Sequence, residues 1–71
     1  MGNDIENIIR ELVMMSYVLT IDSIMEEGEV IHYVHVDSLP NKHGESVVMA
    51  KTKHENLGIA LTKAQAALMV Q

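Results

Sequence analysis

The chain has 71 residues, with ten acids against five Lys and Arg for a formal charge of −5, and it contains no Cys, Phe or Trp. A chain this short forms one domain, residues 1–71, near the lower limit at which a single core holds. Without cysteine, disulfides, thiolate metal sites and thiol chemistry are excluded, and a reducing cytoplasm is the expected compartment. A core of this size supplies about 3–5 kcal/mol of net stability, so self-association is an expected aid to folding.

The charge is unevenly spread. Through Asp37 the acids Asp4, Glu6, Glu11, Asp22, Glu26, Glu27, Glu29 and Asp37 face Arg10 alone, whereas Lys42, Lys51, Lys53 and Lys63 dominate afterwards. Phosphate binding depends on clustered positive charge that releases counterions, so direct nucleic-acid binding is disfavoured. A basic protein surface is the better match. The N-terminus lacks the basic and apolar regions of a secretory signal, and no apolar run nears the ~20 residues of a membrane span, so no membrane partner is expected.

In chain order, Asn3 and Glu6 have the spacing of a capping box, and Ile5, Ile8, Ile9, Leu12 and Met15 recur on one helical face. A helix over 4–15 follows. Tyr17 to Asp37 reads as a β-hairpin turning at Glu27-Gly28. That turn sets Leu19 opposite Val36, Ile21 opposite Val34, Ser23 opposite His32 and Met25 opposite Val30. The other face pairs Val18 with Asp37, Thr20 with His35, Asp22 with Tyr33 and Ile24 with Ile31. A register chosen by the turn alone thus separates an apolar face from a mixed one, as a half-buried sheet requires. A rival reading caps a helix at Asp22 or Ser23 and ends it at Gly28. The strand formers of Tyr17 to Ile21 favour the hairpin.

Leu39 to Gly44 has turn composition. Centring a second hairpin on Lys42 sets Val36 opposite Val48, Val34 opposite Ala50 and His32 opposite Thr52, with a third strand over 46–52. Thr52 and Glu55 have capping-box spacing and open a helix over 53–70, its core stripe being Leu57, Ala60, Leu61, Ala64 and Leu68. Gly58 within it suits a close approach to the sheet. The expected fold is α+β: helix, three-stranded antiparallel β-meander, helix, with both helices on one face. This element order resembles that of double-stranded-RNA-binding domains and, in part, of small antitoxins built on that plan. The lysine-rich start of the last helix that grips phosphates in that family is absent, the matching stretch being Thr52-Lys53-His54-Glu55-Asn56.

Four histidines raise the question of a metal. His32 and His35 fall on opposite strand faces, His43 in a loop and His54 at a helix start, so no shared ion is expected. His32 is expected to face inward, satisfied by the hydroxyls of Ser23 and Thr52. Ser23 beside His32 lacks an orienting acid, and Tyr33 between Asp22 and Lys51 is an open cluster, so neither meets the requirements of a nucleophile. No enzyme activity, cofactor or metal is expected.

What remains is surplus apolar surface: Ile24, Ile31, Tyr33, Val47 and Met49 with Val18 on the open sheet face, and Ile59, Met69 and Val70 outside the helix stripe. Contiguous apolar patches mark interfaces. The expected function is therefore a small acidic protein-binding module, homodimeric through an apolar face. Its hairpin tip of Glu26, Glu27 and Glu29 would engage a basic partner. Inhibitors and antitoxin-like regulators of nucleic-acid-handling proteins, including phage-encoded anti-defence proteins, form the matching class. A nucleic-acid-binding module using Lys42, Lys51, Lys53 and Lys63 is the alternative.

Overall fold

The computed structural model describes residues 2–70, with side chains from Asp4 to Val70. Helix α1 (Gly2–Met14) leads into strands β1 (Tyr17–Glu26), β2 (Glu29–Ser38) and β3 (Val48–His54), and helix α2 (Leu57–Met69) follows. The strands form one antiparallel sheet in the order β1-β2-β3. This is the expected α+β meander between two helices. Helix α1 lies over β1 and against α2, and α2 lies over β2 and β3. The helix begins two residues before Asp4, and the capping side chain expected at Asn3 lies outside the described side chains.

The periodicity of α1 is the reason it docks. Leu12 is fully buried, and Ile5, Ile8 and Ile9 pack against the same cluster one and two turns away. The sheet supplies Val34, Val36 and Ala50, and α2 supplies Ala60, Leu61 and Ala64. Small alanines on α2 let its axis approach the sheet closely, and Leu61 fills the space between layers. Gly58 faces α1 instead of the sheet: a Cβ there would stand 3.8 Å from Ile5 and 3.2 Å from the Asn56 side-chain oxygen.

The first hairpin has the expected register, from Tyr17 opposite Ser38 to Glu26 opposite Glu29. Its two turn residues have positive φ, 50° at Glu27 and 82° at Gly28, the pattern of a type I′ turn whose twist matches that of the strands.

The second pairing is displaced. Val36 lies opposite Ala50, not Val48, Val34 opposite Thr52, and His32 opposite His54. Two local causes account for this. The loop closes on Ser38 and Val47, where Ser38 N donates to the Val47 carbonyl at 2.9 Å and Val47 N donates to Ser38 Oγ at 2.9 Å. A bulge between Val36 and Asp37 then absorbs one more residue of β3. Together they slide the pairing by two, which leaves Ala50, Lys51 and Thr52 on their expected faces, while Val48, expected opposite Val36, lies exposed opposite Asp37. Within the loop, Asn41 Oδ1 accepts from the backbone N–H groups of His43 (2.8 Å) and Glu45 (3.0 Å). Gly44 has φ 79°.

The slide moves the end of the sheet. Lys53 and His54, expected in the second helix, are strand residues, and Thr52, expected to end the third strand and cap that helix, lies within β3. Thr52 Oγ1 donates to the Ala60 carbonyl at 2.7 Å and so ties β3 to α2 instead of capping it. The cap is Asn56, whose Oδ1 accepts from Ile59 N at 3.1 Å. His54 Nδ1 accepts from Asn56 N at 2.9 Å and holds that cap in place. Among the described residues no helix is long and apolar enough to cross a membrane.

Candidate interaction surface

Simple lengths dictate the most prominent feature of the surface. Each helix has 13 residues, which at ~1.5 Å per residue is about 20 Å. Strands β1 and β2 have ten residues each, which at ~3.3 Å per residue is about 33 Å. The hairpin therefore runs past the helices, and the molecule is elongated, 41 × 26 × 20 Å. Along β1 the helix-facing residues Tyr17, Leu19 and Ile21 are half-buried, whereas Ser23 and Met25 on the same face are exposed. Met25 is 68% exposed and its cross-strand partner Val30 is 47% exposed. On the opposite face Ile24 is 47% exposed beside half-buried Ile31. The projecting stem thus shows aliphatic side chains on both faces, and it ends in the acidic turn of Glu26, Glu27 and Glu29.

Below the tip on the open face, Tyr33 connects the strands. Its hydroxyl donates to Glu26 Oε2, and Lys53 Nζ stands 5.7 Å from its ring centroid. The Tyr33 hydroxyl has its pKa raised above the ordinary 10.0, first because it donates to Glu26, then through desolvation and the Glu26 charge. The hydroxyl consequently stays a donor, and Glu26 is held back along the stem while Glu27 and Glu29 are exposed at the turn. Because of the slide in β3, Lys53 and not Lys51 flanks Tyr33, and Lys51 pairs with His35. Asp22 is opposite Tyr33, as expected.

The remaining candidates are dispersed. Val47 is exposed in the loop before β3. Met49, expected on the open face, is half-buried and packs against the core, because the bulge falls at this point of the strand. Ile59 borders a cleft of about 430 Å³ between α1 and α2, with Ile5, Ile8 and Ala66 along it and Asp4 and Lys63 beside it. Met69 and Val70 are exposed at the far end of α2, away from the N-terminal end of that helix where Ile59 lies. Reading the sequence one face at a time missed Met25 and Val30, which alternation alone assigns to the covered face. The disparity between helix and strand lengths is the signal that exposes them.

Ser23 Oγ and His32 Nδ1 are 2.7 Å apart, as expected, but Thr52 turns its hydroxyl to α2 and His54 takes the place beside His32. No acid is hydrogen-bonded to His32 among the described residues, and no three His, Cys, Asp or Glu side chains among them converge on one point. Comparison with known proteins yields no match: no family model fits the chain, and no curated protein or solved structure matches it.

Proposed function

We propose that the chain is a non-enzymatic protein-binding regulator, homodimeric, whose acidic hairpin tip enters a basic surface on its partner. The observation that supports this reading is the projecting stem itself, where exposed Met25, Val30 and Ile24 stand directly behind Glu26, Glu27 and Glu29. An apolar stem supplies burial, worth ~1.5–3 kcal/mol per large side chain removed from water. The acids supply steering and orientation toward positive charge. A surface that takes nucleic-acid phosphates is the natural basic target, so the protein acts as an inhibitor or antitoxin-like regulator of a nucleic-acid-handling protein in the cytoplasm. A phage-encoded anti-defence protein is one such regulator.

The test is affinity capture from host cells, followed by titration of the captured partner with the native chain and the triple variant Glu26→Gln, Glu27→Gln, Glu29→Gln. The variant should bind more weakly and with a flatter salt dependence. Unchanged binding removes the tip from the mechanism. One observation favours a second reading: Lys51 and Lys53 stand beside His35 and Tyr33 on the open sheet face, a small cationic and aromatic platform of the sort on which bases stack. A mobility-shift titration at low salt decides it, since absence of binding at ~10⁻⁴ M excludes even weak non-specific affinity.

A further inference from the structure

The two edges of the sheet are built differently. Strand β3 is short, seven residues, and it carries Lys51, Lys53 and a bulge, all devices that discourage a further strand from pairing. Strand β1 is ten residues long, pairs without a bulge, and has no Lys or Pro, with Asp22 its one charge before Glu26. From this contrast we infer that β1 is the self-association edge, pairing antiparallel with β1 of a second copy about a two-fold axis at Ile21. The inference deepens the homodimer reading above and rests on it.

Backbone geometry selects the register. In a two-residue hairpin the residues flanking the turn, here Glu26 and Glu29, share hydrogen bonds, so even-numbered β1 residues bond to β2 and odd-numbered ones point their N–H and C=O groups to the free edge. Those free groups run from Tyr17 to Met25, and their midpoint is Ile21. A two-fold axis there pairs Tyr17 with Met25 of the second copy and Leu19 with Ser23, and satisfies every outward backbone group of the strand. On the open face the same axis sets Val18 opposite Ile24 and Thr20 opposite Asp22, so no two acids meet. Moving the axis one residue toward the tip would set Asp22 against Asp22, a repulsive pair.

The helix layer fits this arrangement. Helix α1 covers the Tyr17 to Ile21 half of β1 and leaves the Ser23 to Met25 half bare. An antiparallel second copy brings its covered half alongside the bare half of the first. The C-terminal end of its α1, where Met14 is 76% and Met15 58% exposed, then arrives next to Met25. Three exposed apolar regions, the β1 edge, the stem and the end of α1, close in one contact. A stable dimer uses about 800 Å² per partner, roughly a sixth of the 5019 Å² surface of this chain.

The test is sedimentation equilibrium on the whole chain and four variants, with circular dichroism to verify folding. Thr20→Asp, facing Asp22 of the second copy, should raise the dimer dissociation constant about tenfold. Thr20→Lys should lower it roughly threefold to tenfold at low salt, since the pair occurs twice. Ser23→Pro deletes an outward N–H and should give monomer, whereas the control Ser23→Ala, which equally loses the His32 bond, should still dimerise. If both Thr20 variants weaken the dimer, the Ile21 axis is overturned. If the native chain dimerises but ignores every β1 variant, edge pairing is overturned while the homodimer reading survives. A native chain that stays monomeric at millimolar concentration overturns both.

Discussion

Replacing Glu27 by Asn separates backbone strain from charge at the hairpin tip. Glu27 holds φ 50° beside Gly28 at 82°, and a left-handed backbone costs an ordinary L-residue ~1–2 kcal/mol, less for Asn, whose short side chain bonds locally. Recovering about half of that gives a gain of ~0.5–1 kcal/mol. In a domain of this size it raises the melting temperature by about 2–8 °C. Asn also removes one acid from a crowded turn, so the control is Glu27→Gln, which removes the same charge and keeps the strained backbone. Thermal melts at low and high salt divide the two contributions: the charge part fades with salt, and the difference between Asn and Gln persists. An Asn variant that melts no higher than the Gln variant in high salt would refute strain at this turn. The two variants should lose partner binding equally, because the tip reading assigns Glu27 a role by charge alone.

Three further outcomes follow from the packing and the side-chain bonds. Leu61→Ala, at a fully buried site between helix and sheet, should cost ~2–5 kcal/mol and leave the chain largely unfolded, as read by urea titration. Asn56→Ala removes the acceptor of Ile59 N and should cost about 1 kcal/mol, with amide exchange accelerating first at the start of α2. Glu26→Gln should bring the raised Tyr33 ionisation down toward 10.0, seen by ultraviolet or NMR titration. The sign is set by the neutral hydroxyl being the donor: any stability from this bond is present below pH 10.0 and lost as pH climbs through the raised value.

The first hairpin was legible in full because a two-residue turn leaves no freedom: once Glu27-Gly28 is the turn, every partner from Glu26–Glu29 to Tyr17–Ser38 is determined. The second pairing depended on choices that composition does not reveal. Asn41 folds the loop around its own side chain, and the closing pair is Ser38 with Val47. Thr52 and Glu55 have the spacing of a helix start, yet the ladder continues to His54 and the Thr52 hydroxyl finds the Ala60 carbonyl instead. Tertiary bonding outweighed a local capping signal there. In the candidate site the acids of the tip and the Asp22–Tyr33 pair were readable, whereas the identity of the lysine beside Tyr33 followed the slide of β3. Exposure of Met25 and Val30 needed a comparison of element lengths, not of residue types.

The bulge beside Asp37 has an evolutionary consequence. Surface connections ordinarily lengthen and shorten freely, and the bulge carries that freedom into the start of the third strand. Met49 is the extra residue between Val48, opposite Asp37, and Ala50, opposite Val36, so deleting it alone would make the ladder continuous and leave Ala50 and Thr52 beneath the helices. Loss of one residue there costs the bulge and spares the faces beyond it, so drift by single residues should gather at this point.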